Sequence, residues 1–417
     1  MPKNRNERQF DEYRAWQWVK HDVLRHYVAR WPEIVGTWAT EVVAVDGCAG
    51  AGSYRDPDTG QEIADGSPII FATRAALYNK DRGPSRTMKV ICVENEPNNF
   101  AELHSHVERH APMVTLHHGP LARFAEPIAE RLGNSPALVF LDPIGVKPIA
   151  AEHWRPLLTR TGKTDLFVTL HFAYVHRAGG MLMPDGEPKT YKRAAAHAAN
   201  VDRLFDTRDW REIAVDPELR AREREERYVQ LYFDHVIGQR HRWTAPVAVR
   251  ERYSAPVRYW LIHASNDWKP YELMNDAVAA LNKKLLLRDY PGDELPESEG
   301  QLSFPGVLDG MAQARVDQHH GRVRANIAAA AIELLERTPG SALPLESIEH
   351  LLVRKFFGEI PFSEHWSIIK ELVKNDRLLR EGRKAARRDP KEMISLPTPA
   401  ATDPEAGAKI IPLRRVA

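Results

Sequence analysis

Apolar residues in the first part of the chain fall into short, strand-length runs separated by longer stretches with helical spacing. Glu41 to Val45, Met88 to Val93, Ala137 to Leu141 and Asp165 to Leu170 are hydrophobic, mostly β-branched runs, and Val114 to His117 is a shorter one. Between them, Ile69 to Tyr78, Pro97 to His110 and Leu121 to Leu132 read as helices, the first opened by Ser67 as N-cap and Pro68 in the first turn. Upstream, Trp16 to Trp31 carries Val19, Val23, Leu24, Tyr27 and Val28 at a helical period. Lys20 and His21 on that helix read as surface positions, with a place beside a ligand as the alternative. Strands alternating with helices predict a largely parallel sheet.

After Leu170 the texture changes. Lys189 to Phe205 and Pro217 to Ile237 are helical and heavily charged, with RAREREERY at Arg220 to Tyr228 mixing both signs. This is either a solvated helix or a cap that covers a sheet edge or docks a partner. Ala245 to Arg250 and Val257 to Ser265 restore strand character and, joined by a short turn, predict an antiparallel pair that brings the sheet to seven strands. Tyr271 to Leu287 closes the domain as a helix. Tyr290 to Gly310 is rich in proline, glycine and acids, the composition of a linker. Beyond it, Val323 to Arg337, Leu345 to Phe357 and Glu364 to Asn375 are amphipathic, and Arg377 to Arg380 and Met393 to Leu396 are short strand candidates. That is a winged-helix order. The predicted organisation is therefore a helical segment over 1–40, an α/β domain over 41–288 with a helical insertion at 186–240, a linker at 289–320, a winged helix at 321–397 and a disordered tail at 398–417.

The length of 417 residues and a hydrophobic share of 43% allow two or three domains with sizeable cores. Lys plus Arg number 58 against 57 acids, so only the local distribution of charge is informative. From Lys374 to Arg388 seven cations stand against Asp376 and Glu381, a net 7 − 2 = +5. Such an excess predicts phosphate contacts through Arg380, Arg383, Lys384, Arg387 and Arg388, with a protein-binding wing as the alternative. Two cysteines exclude a disulfide scaffold and a cysteine-based metal site, and no metal is expected. No run approaches 18 apolar residues and the first ten residues are charged, so neither a membrane span nor a signal peptide is expected and the cytoplasm is the default location.

Candidate chemistry centres on EVVAVDGCAGAG, Glu41 to Gly52. A strand ends at Asp46 and runs into Gly47, Gly50 and Gly52, where a backbone without Cβ atoms passes close to a ligand; a purely structural strand-to-helix turn uses the same residues. The second strand ends at Glu94, placed to hold two ribose hydroxyls, and a third ends at Asp142-Pro143. Three strand tips bearing carboxylates suit a nucleoside-type ligand lying across them. A dinucleotide fingerprint is disfavoured, because Asp46 would repel a pyrophosphate, whereas a cationic, amino-acid-like portion fits. S-adenosylmethionine has that portion together with a sulfonium. Asp142 and His171 are the catalytic candidates, with Tyr174 as a stacking surface and Lys147 and Arg177 as weaker ones. Asp142-Pro143-Ile144-Gly145 lacks the second proline and aromatic that stack on a flipped base, and Cys48 is committed to the turn, which disfavours amino-directed and carbon-5 base methylation.

On KHDVLRHYV at Lys20, VDGCAGAGSY at Val45, the loop ending in GSP at Gly66, VENE at Val93, FLDPIG at Phe140 and YWLIHAS at Tyr259, the chain resembles class I S-adenosylmethionine-dependent methyltransferases, and more narrowly the three-Cys-motif partner protein family, over roughly residues 15–375. The resemblance implies a seven-stranded Rossmann-like sheet with a C-terminal winged helix. It also implies S-adenosylmethionine as cofactor, with Asp46, Gly47, Gly50 and Gly52 lining its methionine part, Glu94 its ribose and Asp142 the floor below its methyl group. The implied partner is a three-cysteine protein that looks like a radical-type iron–sulfur enzyme. One departure concerns the adenine: Gly119-Pro120-Leu121 stands where such enzymes often place an acid. The expected function is methyl transfer to nucleic acid or a nucleotide together with that partner. A methyltransferase-fold subunit without turnover and a winged-helix regulator sensing S-adenosylmethionine are the alternatives.

Overall fold

Seven strands form the central sheet: β1 (Glu41–Asp46), β2 (Thr87–Glu94), β3 (Val114–His118), β4 (Ala137–Leu141), β5 (Thr164–Leu170), β6 (Trp243–Val249) and β7 (Tyr259–Ser265). In this computed structural model, which describes residues 15–56, 59, 61–289, 305–381 and 388–397, they lie in the order β3-β2-β1-β4-β5-β7-β6. The first five are parallel, and β7 runs antiparallel to both β5 and β6. This is the class I methyltransferase order that the sequence predicts. The winding direction reverses between β1 and β4, and in such a sheet the ligand crevice opens at the carboxyl ends of the strands flanking that reversal.

The helices are α1 (Ala15–Val35), α2 (Ser67–Arg82), α3 (Pro97–Val107), α4 (Leu121–Leu132), α5 (Ala151–Thr159), α6 (Phe172–Gly179), α7 (Lys192–Phe205), α8 (Trp210–Val215), α9 (Ala221–Tyr232), α10 (Trp268–Arg288), α11 (Pro305–Glu336), α12 (Leu345–Lys355) and α13 (Phe362–Lys374). Along β1 the side chains alternate between two cores. Val42 and Ala44 pack with residues of α1, α2, α3 and α10, while Val43 and Val45 pack with residues of α4 to α9. Burial on both faces is why these strands are almost continuously apolar.

Several expectations change. Lys20 and His21, read as surface positions with a place beside a ligand as the alternative, are 4% and 1% exposed, because α1 is packed into the first core; Lys20 points to the strand tips, in line with the alternative. The stretch after the glycine turn is not a plain loop: Ser53–Arg55 pairs antiparallel with Glu62–Asp65. The insertion contains α8 as well as the two helices expected, and α6 precedes it. Residues 305–320, placed in the linker, belong to α11.

The chain divides into two compact units, Met1–Asp317 with Phe357–Pro361, and Gln318–Phe356 with Phe362–Ala417. In the second unit, the end of α11 with α12 and α13 accompanies a three-stranded antiparallel sheet of β8 (Ala342–Pro344), β9 (Leu379–Glu381) and β10 (Met393–Ser395), ordered β8-β10-β9. Its core holds Ile327, Leu335, Leu345, Ile348, Leu352, Ile369 and Ile394, all buried. No described helix is long and apolar enough to cross a membrane. The expected tail at 398–417 lies outside the described residues.

Candidate functional site

The site is built where β1 empties into the glycine turn. Gly50 and Gly52 adopt φ of +65° and +89°, a region costly for residues with a Cβ, so the chain reverses tightly over the strand tips. The turn is tied to the tip of β2. Gly50 N–H donates to Glu94 Oε2 at 2.7 Å and Glu96 N–H to Glu94 Oε1 at 2.7 Å. Burial raises the Glu94 carboxyl above its ordinary range, and these backbone donors oppose that rise. Each oxygen keeps acceptor capacity for a further donor.

Two adjoining cavities meet at the tip of β4. The larger, about 320 Å³, is lined by Gly47, Gly50, Glu94, Asn99, Asp142, Gly119, Lys147 and His153 among others. The smaller, about 70 Å³, is lined by Lys20, Gly52, Tyr54, Asp142, His171 and Tyr259. Cys48, Asp142, Pro143 and Ile144 border both. Of the sequence candidates, Gly47, Gly50, Gly52, Glu94, Asp142 and His171 therefore converge on one connected space. Gly119 and Leu121 line it where an acid was looked for, so the departure noted in the sequence falls on the cavity wall.

Asp46 differs from expectation. It is 0% exposed and lines neither cavity, sitting one residue behind the wall. Cys48 N–H donates to its Oδ1 at 3.4 Å, while Oδ2 has no hydrogen-bond partner among the described residues. Burial pushes its carboxyl up to about 7, against the pull of the Ser67 hydroxyl and the Cys48 N–H. A buried carboxylate left incompletely bonded costs stability, so its place beneath a cavity points to a cationic ligand that would stabilise it.

Asp142 is paired with Lys20, an ion pair between β4's tip and α1. Burial alone would raise Asp142, but the Lys20 ammonium, with His171 and Thr169, outweighs it and holds the carboxyl below its ordinary value. Burial likewise disfavours charge on Lys20, and Asp142 reverses that, so the ammonium stays protonated. His171 immediately precedes α6, its ring 4.6 Å from that of Tyr259. Burial lowers its imidazole, opposed by Asp142 and assisted by Lys20, which leaves it neutral at pH 7 and able to accept a proton. Lys20 was weighed for a place beside a ligand only as the alternative to a surface position, and Tyr54 and Tyr259 were not singled out as site residues from the sequence. All three lie inside the motifs quoted above, which was the available signal.

Among the described residues no group of His, Cys, Asp and Glu could hold a metal ion. In the second unit, Arg383, Lys384 and Arg387 lie outside the described residues. Arg380 pairs with Glu392, and Arg388 with the fully buried Glu349 at 2.6 Å. Both acids lie outside the stretch in which the +5 was counted, so folding offsets part of that excess.

No protein-family model matches the chain, and no curated protein sequence does either. Among solved structures it is similar to the O-methyltransferase TomG from Streptomyces achromogenes, in complex with SAM, at 12% identity and a TM-score of 0.32 over 64% of this chain and 91% of that one. It is also similar to an O-methyltransferase from Bacillus cereus in complex with SAH, at 13% identity and a TM-score of 0.29 over 64% and 92%. Likenesses this distant lend no weight to function; strand order and side-chain geometry carry the fold and the site.

Proposed function

We propose that this chain binds S-adenosylmethionine and transfers its methyl group to a nucleic acid or nucleotide. One observation carries the reading: the glycine turn, Glu94 and Asp142 border a nucleoside-sized cavity at the sheet's reversal point, with the under-bonded Asp46 directly beneath. Glu94 would take the two ribose hydroxyls on its remaining lone pairs, and the turn's backbone would lie along the methionine part. Asp46 would gain from a nearby ammonium. The cofactor, when bound, supplies an electrophilic methyl on a sulfonium. The protein then has to align the acceptor and, where needed, remove its proton. His171, neutral and facing the smaller cavity beside Asp142, is the group for that proton. Lys20 fixes Asp142 as an anion between the two spaces.

The choice of a nucleic-acid acceptor also draws on reading the three helices and three short strands of the second unit as the winged helix expected from the sequence. A three-Cys-motif protein is the partner implied by the sequence resemblance. A second reading, a sensor of S-adenosylmethionine without turnover, is favoured by the small size of the acceptor-side cavity, about 70 Å³.

Incubation with methyl-tritiated S-adenosylmethionine and total RNA, DNA or cell extract tests the proposal. Transfer of label by the wild type and a loss of at least about 100-fold in His171→Ala are expected for a general base. Binding without any transfer would leave the sensor reading, and equal transfer by both proteins would remove His171 from the chemistry.

A further inference from the structure

The turn after β4, α6 and the first helix of the insertion bring an unpaired basic face to the rim of the larger cavity. Lys147 lines that cavity at the start of the short turn Lys147–Ile149 after β4, and this turn packs on α7, which in turn packs on α6. Tyr174 and Arg177 lie one turn apart on α6, as do Arg193 and His197 on α7. The rings of Tyr174 and His197 stack at 5.0 Å with an interplanar angle of 27°, which sets the two faces together. Asn200 of α7 donates to the Tyr174 hydroxyl at 2.9 Å and holds the ring in place. The His197 imidazole is lowered first by burial and then by the charges of Arg193, Arg177 and Lys147, so all three cations act on one spot.

Lys147, Arg177 and Arg193 are exposed, and none makes a side-chain ion pair or hydrogen bond with the described residues. That sets them apart from their neighbours. Arg155 is paired with Asp206, Arg203 with Glu152, and Arg211 with Asp202. Tyr191, 48% exposed, precedes α7. Three uncompensated cations beside the half-buried Tyr174–His197 pair, with the exposed ring of Tyr191 at the start of α7, are the ingredients of a single-strand binding surface, in which charges track phosphates and an exposed ring stacks a base.

We infer that the face formed by Lys147, Arg177 and Arg193 around the Tyr174–His197 pair binds the phosphates of a single-stranded nucleic acid and leads one nucleoside toward the tip of β4, where the cofactor-side and acceptor-side cavities meet. This rests on the methyl-transfer reading only for what happens to that nucleoside; the surface itself is a separate claim. It also places the acceptor on the first unit, so the second unit is not the sole route to nucleic acid.

The test uses the full-length chain and a fluorescein-labelled 12-nucleotide single strand, in RNA and DNA forms, followed by anisotropy from 50 to 300 mM salt. Removing two phosphate contacts in Arg177→Ala/Arg193→Ala is expected to weaken binding about tenfold at 100 mM salt and to lower the slope of log K against log salt by about 1.4. Arg177→Lys/Arg193→Lys keeps the charge and should retain the slope. S-adenosylhomocysteine affinity measured on the alanine variant reports that its fold is intact, because neither arginine lines the cavity. Wild-type chain that fails to bind either oligonucleotide overturns the inference. So does an unchanged slope in the alanine variant, or a slope that falls only in Arg383→Ala/Arg387→Ala. Competition by a mononucleotide as effective as by the 12-mer would also overturn it, by assigning the face to free nucleotides. Failure of the wild type to bind S-adenosylhomocysteine would instead count against the cofactor reading.

Discussion

Replacing Lys20 by methionine keeps most of the side chain's volume and removes the ammonium that neutralises Asp142. Lys20 is 4% exposed and the Asp142 side chain 20%, so water takes over little of the lost interaction. Stripping one partner from a buried ion pair costs about 3–5 kcal/mol, and the partial exposure of Asp142 places the expected loss near 3 kcal/mol. For a unit of this size, 317 + 5 = 322 residues, that corresponds to a fall in melting temperature of roughly 4–5 °C. The pH dependence carries more information than the size. In the wild type the depressed Asp142 stabilises the fold above its ordinary pKa of 3.8, and this is lost as pH falls through the lower folded value. In the variant only His171 and Thr169 still oppose burial, so the Asp142 carboxyl rises; the deficit is already present at pH 5, where the wild-type stabilisation is complete, and grows toward pH 8 as the raised carboxyl has to ionise. The raised Lys20 contributes evenly across that window, since its stabilisation is lost only above its ordinary 10.5. Urea unfolding of the first unit, read by tryptophan fluorescence at pH 5 and pH 8, measures both deficits. Lys20→Met/Asp142→Asn should recover most of the loss, because no charge is then left unpaired. A deficit below about 1 kcal/mol at pH 8, or one equal at both pH values, would show that the pair is screened by solvent and that Lys20 does not set the ionisation of Asp142.

Asp46→Asn should leave stability unchanged near pH 4 and raise it at pH 8 by up to about 4 kcal/mol, because a carboxyl raised from 3.8 to about 7 destabilises the fold as pH climbs through that interval. A difference that does not vary with pH, measured by denaturant titration, would contradict the burial argument. Arg388→Ala leaves the fully buried Glu349 without its guanidinium, and the second unit should lose about 3–5 kcal/mol, seen as an earlier separate transition in calorimetry. An unchanged transition would return Arg388 to the solvated, phosphate-facing role.

The sheet was legible because its central strands are buried on both faces. β1, β4 and β5 are near-continuous apolar runs, and their order of appearance, with two strands in succession at the end, specifies the antiparallel β6–β7 pair. The acid at each strand tip was equally visible. What stayed hidden depends on contacts distant in sequence or on segments too short to show a period. Lys20 meets a partner 122 residues away, and a periodicity reading assigns polar helical residues outward by default. Arg388 and Glu349, 39 residues apart, hid for the same reason. α8 has six residues, less than two turns, which cannot establish a helical stripe. The start of α11 carries Pro305, Gly306 and Gly310, breakers in a loop reading, although proline is tolerated in a helix's first turn.

The most direct measurement is titration calorimetry of the wild-type chain and Glu94→Ala with S-adenosylhomocysteine at pH 8. Saturable binding at one site per chain is expected, weakened at least about tenfold in the variant by loss of the charged acceptor for the ribose hydroxyls. Absence of heat and of any thermal shift in the wild type, or equal affinity in the two proteins, would contradict a cofactor seated across the tips of β1, β2 and β4.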